Sequence, residues 1–224
     1  ESELNLKVGD YVVVPFGKSK ITGVVWNEFE KKNNKNFKLK NVLKKLNVPP
    51  LKKATINFLN WFAEYNIIPK GMALKLVLLS SNAIENPQKD IFKSFKKNIR
   101  KNTIKLSEDQ KKSLEKMNNS NEKFRVHVLQ GTTGSGKTMV YFSALKNILN
   151  KGLQGLILLP EIGLTNQFQK KFLEFFGITP AVWHSGISKK KKEIIWSGIA
   201  NGEIKVVIGA RSSLFLPFKK LGLI

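Results

Sequence analysis

Gly131-Thr132-Thr133-Gly134-Ser135-Gly136-Lys137-Thr138 decides how this chain is read. The octapeptide fits G-x-x-x-x-G-K-[ST] at every fixed position. Triphosphate oxygens need several backbone N–H donors converging on one point, and glycines let the backbone curl that tightly because no Cβ obstructs it. The loop must then open a helix, whose N-terminus carries partial positive charge. In such a loop Gly131, Thr132, Thr133, Gly134, Ser135 and Gly136 wrap the phosphates. Lys137 reaches the β- and γ-phosphates, and the Thr138 hydroxyl ligates Mg²⁺. With positions treated as independent, the composition yields about 0.02 such matches by chance.

The flanks supply the context that the motif requires. Val126–Gln130 reads as a short apolar strand before the loop, and Val140, Ala144, Leu145 and Ile148 follow at helical spacing. Further on, apolar segments at Leu156–Pro160, Ala181–Trp183 and Lys205–Ile208 alternate with helical stretches at Lys137–Asn150, Thr165–Phe176 and Lys189–Ala200. Strand, helix, strand in that order predicts an α/β lobe, a parallel sheet with helices on both faces. Upstream the pattern differs. Tyr11–Val14 and Ile21–Trp26 are β-branched and aromatic, and Gly17–Lys20 between them reads as a turn, so a hairpin is expected. Pro50 is placed to open a helix, with Leu51, Thr55, Phe58, Leu59 and Phe62 on its core face. Between these parts the sequence turns polar and Lys/Asn-rich, with a short helix expected around 92–99. The expected organisation is a small β-rich domain over 1–80, a linker over 81–104 and an α/β lobe over 105–224.

Composition narrows the class. The formal net charge is +23, from 39 Lys and Arg against 16 Asp and Glu. A polyanion partner would suit that balance. Thirty-six of the 39 are lysines, however, and an A/T-rich genome also favours Lys, Asn and Ile codons. Charge alone leaves both explanations open. No apolar run reaches the roughly 18 residues of a membrane span. Zero cysteines exclude disulfides and thiolate metal sites, and two histidines argue against structural zinc. His127 is expected to be packed in its strand, and Trp26, Trp61, Trp183 and Trp196 to be core or partly buried aromatics.

Motifs around the loop then suggest a family. Leu106-Ser107-Glu108-Asp109-Gln110 resembles the adenine-reading glutamine motif of superfamily 2 helicases, and it also reads as a helix cap, Ser107 with Gln110 three residues on. Leu159–Gln167, His184–Ser188 and Ile208–Phe218 resemble the primosomal protein N′ (PriA) family of replication-restart helicases. Val12–Lys18 and Gly23–Val25 are similar to that family's N-terminal domain. The resemblance covers most of the chain. It implies a RecA-like first helicase lobe behind a 3′-DNA-end-binding domain, in a bacterial, cytoplasmic, ATP-dependent 3′→5′ DNA helicase. ATP and Mg²⁺ are the implied cofactors. The implied partners are DNA forks, single strands and 3′ ends, with primosome and replicative-helicase loading proteins.

Residue by residue, the resemblance assigns Gln110 to adenine, and Thr165, Arg211 and Ser212 to the DNA backbone. It assigns Gly17 and Lys40 to a pocket for a nascent 3′ end, although Lys40 also reads as a solvated charge among many lysines. The family continues into an acidic D-E-x-H motif, a second lobe and a cysteine-rich zinc insertion, whereas this sequence stops at Ile224 and has no cysteine. A family strand is expected to precede Glu1, and the linker is too short for a winged-helix domain. The expectation is therefore a chain that binds DNA and nucleotide without unwinding. The alternatives are a non-catalytic DNA-binding module or a related fork-remodelling duplex translocase.

Overall fold

The computed structural model describes residues 4–27, 40–78, 84, 105–118, 124–160 and 166–224. The hairpin forms from β1 (Tyr11–Phe16) and β2 (Ser19–Val24). Its antiparallel register runs from Tyr11↔Val24 to Phe16↔Ser19, which leaves Gly17-Lys18 as a two-residue turn. Such a turn needs positive φ, and Gly17 supplies it at 59°. A short third strand, β3 (Lys44–Lys45), pairs with the other edge of β1. Two helices follow, α1 (Lys53–Tyr65) and α2 (Lys70–Lys75).

Helix α1 differs from the expected one in its start and in part of its face. Pro50 lies outside it, because the Leu51 N–H is engaged with the Gly9 carbonyl at 2.8 Å and the helix opens only after Lys52. The fully buried line is Ile56, Leu59 and Ala63. Phe58 and Phe62 are half-buried and pack on Phe215, with ring centroids 5.4 and 5.0 Å away. Trp61 is a correction to the expected burial: it is 55% exposed, stacked between Phe58 and Tyr65 on the outward side of the helix.

The second part begins with α3 (Glu108–Asn118) and α4 (Lys137–Asn150). Strand β4 (Gln154–Leu158) is followed by α5 (Asn166–Phe176), β5 (Ala181–Trp183) and α6 (Lys189–Asn201). Strand β6 (Val206–Gly209), a 3₁₀ turn at Arg211–Phe215 and β7 (Leu221–Leu223) complete it. The four strands form one parallel sheet in the order β5-β6-β4-β7. Alternation along β6 sends Val206 and Ile208 into one apolar cluster with Phe142, Leu145, Phe172 and Phe176 from α4 and α5. Val207 faces the other way, toward Ile195, Trp196 and Ile199 of α6. Helices thus cover both faces.

The strand expected at Val126–Gln130 is absent from this sheet. The segment has no ladder partner among the described residues, and Val126 and Val128 are 73% and 90% exposed. His127 is exposed with them, not packed. A β-strand is stable only when neighbours satisfy its main chain, which an apolar run cannot guarantee by itself. A groove of about 350 Å³ lies beside the segment, lined by His127, Leu129, Tyr141, Leu156 and Leu223 among others.

The two parts share one core. Tyr11, Leu59, Val77 and Ile84 belong to the same buried cluster as Trp183, Trp196, Val207 and Phe218. Trp196 is the joint: its ring meets Tyr11 edge-on at 5.8 Å, and its indole N–H donates to the Val77 carbonyl at 2.8 Å. Of the expected linker over 81–104, only Ile84 lies among the described residues, and it is fully buried. The helix expected at 92–99 falls outside them. No helix among the described residues is long and apolar enough to cross a membrane.

Candidate nucleotide-binding loop and DNA-facing residues

The loop sits directly in front of α4, with Gly136 as the N-cap residue at φ 80° and Lys137 as the first helical residue. The positive φ favours glycine here, and a Cβ would also displace the end of the Gln110 side chain, whose amide lies against Gly136. Gly134 also has positive φ, 85°. Ser135 N–H donates to the Thr132 carbonyl at 3.3 Å, which closes the turn between them.

Lys137 is folded back onto the loop. Its ammonium donates to the Gly131 and Thr132 carbonyls at 2.6 and 2.7 Å. The Thr138 hydroxyl accepts a hydrogen bond from the Tyr141 hydroxyl at 3.2 Å. A cavity of about 750 Å³ runs along the loop, lined by Thr133, Gly134, Gly136, Lys137 and Thr138. Lys171, Glu174 and Phe175 of α5 form part of its far wall. A cleft of that size admits a nucleotide-sized ligand. Mg²⁺ demands hard oxygen donors and is commonly shared between a few protein oxygens and substrate phosphates. The hydroxyl of Thr138, a residue that lines this cavity one position from a lysine that can hold phosphate, fits as one of those donors.

Gln110 joins this site through two sets of contacts. Ser107 and Gln110 form the reciprocal cap that the sequence suggests: Gln110 N–H donates to Ser107 Oγ at 3.3 Å, and Ser107 N–H donates to Gln110 Oε1 at 3.0 Å. The amide nitrogen reaches the loop, with Gln110 Nε2 donating to the Ser135 carbonyl at 3.0 Å. The carboxamide therefore braces the loop from outside.

The other expected residues lie elsewhere. Arg211 and Ser212 are exposed at the start of the 3₁₀ turn that leaves the carboxyl end of β6. The loop after β5 lies beside them, since Ala210 N–H donates to the Trp183 carbonyl at 3.0 Å. Within that loop His184 Nδ1 accepts from Gly186 N–H at 3.1 Å. Ligands of open α/β sheets bind at this carboxyl edge. Thr165 falls outside the described residues. Gly17 and Lys40 are both exposed. Because β3 runs antiparallel to β1 and Leu43 N–H donates to the Val13 carbonyl at 2.9 Å, the residues just before Lys44 head toward the hairpin tip.

Sequence reasoning missed Tyr141, Lys171 and Glu174. Tyr141 carried a usable signal, since it stands three residues after Thr138 on a predicted helix and so shares its face. Lys171 and Glu174 carried none, because only the packing of α5 beside α4 brings them to the loop.

Two family profiles divide the sequence between them. One, described as 3′DNA-binding domain (3′BD), matches residues 1–79, and the other, described as type III restriction enzyme, res subunit, matches residues 76–221. The parallel sheet with its phosphate-loop motif is thus a helicase-type lobe of the res-subunit class, behind a 3′-DNA-binding module. Among curated proteins, replication restart protein PriA of Rickettsia conorii is 41% identical over 222 residues, covering 99% of this chain and 33% of the relative. PriA of Bacillus subtilis is 38% identical over 134 residues, covering 59% of this chain and 16% of the relative. PriA of Haemophilus influenzae is 42% identical over 101 residues, 45% of this chain and 14% of the relative. The chain belongs to the PriA replication-restart helicase family. It spans about a third of the length of the rickettsial relatives.

Proposed function

We propose that the chain serves an ATP-dependent 3′→5′ DNA helicase of replication restart, holding a nucleotide at Gly131–Thr138 and a DNA 3′ end at the small sheet. The observation that carries this reading is the geometry of Lys137. A lysine bound to two neutral carbonyls of its own loop is ready to exchange them for phosphate oxygens, which accept charge-assisted and stronger hydrogen bonds. Thr138 supplies the oxygen for Mg²⁺, whose contribution when bound is to neutralise charge on the β- and γ-phosphates. Gln110 holds the loop and reads adenine once its amide lets go of Ser135. Gly17 permits close approach of a DNA end, and Lys40 counters its last phosphate. Thr165, Arg211 and Ser212 hold single-stranded backbone without reading sequence. Forks and loading proteins of the primosome are the proposed partners, and the cytoplasm the proposed compartment.

The test has two arms on the 224-residue chain. Lys137→Ala should weaken binding of a fluorescent ATP analogue roughly ten- to a hundredfold, the equivalent of one charged hydrogen-bonding group. DNA binding should survive that change. In gel shifts, forks ending in 3′-OH should bind better than forks ending in 3′-phosphate, and Lys40→Ala should lower the log–log salt slope by about 0.7–0.9. Unchanged nucleotide affinity would remove the loop from the reading, and equal affinity for the two 3′ ends would remove the pocket.

A further inference from the structure

We infer that Tyr141 is a positioning residue for the nucleotide's divalent cation, acting by holding the Thr138 hydroxyl in the rotamer that turns an oxygen lone pair toward the phosphate cavity. The inference rests on the nucleotide-binding reading above. Thr138 lies in the first turn of α4 and is one of the residues that line the cavity. A helical threonine ordinarily divides between two χ1 rotamers, because its oxygen can turn back to a main-chain carbonyl three or four residues earlier. A cation ligand cannot be so divided. The Tyr141 hydroxyl, three residues on and on the same face, bonds Thr138 Oγ1 at 3.2 Å and gives that oxygen a fixed partner.

The phenol is itself held. Its ring meets Phe142 edge-on at 5.2 Å and 88°, and Tyr141 lines the groove beside His127, Leu129 and Leu223. Phe142 is 1% exposed and is contacted by four phenylalanines of α5. A phenolic oxygen both donates and accepts. It donates to Thr138 in the structure. When a cation takes the Thr138 lone pair, the threonine proton must point elsewhere, and the Tyr141 oxygen is there to accept it. Phenylalanine keeps the ring and its packing but can do neither.

The test compares Tyr141→Phe with the unmodified chain by titrating a fluorescent ATP analogue in excess Mg²⁺ and again in excess EDTA. The expected result is unchanged affinity in EDTA and a roughly three- to tenfold loss in Mg²⁺, the worth of one neutral hydrogen bond. In a Thr138→Val background the Tyr141→Phe change should have no further effect on the Mg²⁺ advantage. An Mg²⁺-to-EDTA affinity ratio that is the same in the unmodified chain and in Tyr141→Phe overturns the inference alone. Equal losses in both media also overturn it, since they mean that the tyrosine supports the loop and not the cation. An unmodified chain that binds no nucleotide in either medium overturns the nucleotide reading, and the inference falls with it.

Discussion

Trp196→Phe should destabilise the whole chain by about 2–4 kcal/mol in one cooperative step. Trp196 is 1% exposed, and its indole N–H is the donor to Val77 O. Phenylalanine removes that donor. A hydrogen bond of this kind is worth about 0.5–1.5 kcal/mol net, and a buried carbonyl left unpaired costs about 1–3 kcal/mol. The smaller ring also leaves a cavity. Complete truncation of a buried Trp costs about 3–5 kcal/mol, so the indole-to-phenyl fraction is set at about 1–2 kcal/mol. Part of the edge-on contact with Tyr11 persists. For a chain of this length each kcal/mol corresponds to about 2–4 °C of Tm, so the expected fall is roughly 5–15 °C. Tyr11 and Val77 come from the first part of the chain and Trp196 from the second, and all three belong to one buried cluster. Far-UV circular dichroism during heating, with urea titration alongside, should therefore show a single transition that moves as a unit with an unchanged m-value. Two transitions of which one moves, or a shift worth less than about 1 kcal/mol, would refute the idea that the two parts are stabilised through a common core.

Two further outcomes follow from buried polar groups. Gln154 is 1% exposed; its Nε2 donates to the Ile199 and Ile204 carbonyls at 3.2 and 2.7 Å, and its Oε1 accepts from Lys220 N–H at 2.9 Å. Gln154→Met keeps the shape and removes all three bonds, so urea unfolding should report a loss of about 3 kcal/mol, near 1 kcal/mol per bond; a loss under about 1 kcal/mol would show that β7 is not fastened through this amide. Burial alone would raise the pKa of Asp10, but the Lys45 ammonium at 2.6 Å and the Lys7 N–H at 2.7 Å outweigh it, and the net shift is downward. The folded-state pKa thus lies below the unfolded value of about 3.9, so ionised Asp10 favours the fold above that value and the contribution is lost as pH falls through the folded-state pKa. Stability measured from pH 6 downward should drop more steeply below about pH 4 in the unmodified chain than in Asp10→Asn, and parallel curves would contradict this.

The parts that were legible are those whose cause is local. Gly17 sets the hairpin turn, and the apolar spacing after Thr138 sets α4, which runs over Lys137–Asn150 as expected. Strands β5 and β6 fall where short apolar runs stand between helical stretches. What failed depends on distant partners. Val126–Gln130 has the composition of a strand but no neighbouring main chain to pair with among the described residues. The expected face of α1 is partly the observed one: Leu59 is buried and Thr55, Phe58 and Phe62 are half-buried, while Ile56 and Ala63 complete the buried line. Of the aromatic residues on this helix, Phe58 and Phe62 pack on Phe215, whereas Trp61 and Tyr65 stay exposed. The motif residues of the nucleotide loop could be named from sequence. Their present contacts could not, since Gln110 on the loop and Lys137 on its own carbonyls are products of folding.

Those contacts explain how the loop keeps its form without a paired strand leading into it. Besides the main-chain turn from Ser135 to Thr132, three side-chain hydrogen bonds fix it: two from Lys137 to Gly131 and Thr132, and one from Gln110 to Ser135. Each uses a group that the proposed nucleotide also needs. Binding is then an exchange, and its net strength is the difference between old and new partners. At the phosphate end the exchange is favourable, because an anionic oxygen replaces a neutral carbonyl at a cationic donor. At the base end a neutral carboxamide leaves one neutral carbonyl for neutral groups on adenine, which gains little. The phosphates should therefore supply most of the affinity, and the base should chiefly select among nucleotides. Removing Gln110 would free the loop and lose the base contact together, two effects that oppose each other in affinity, so its role should register as lost discrimination between ATP and GTP more than as lost binding of ATP.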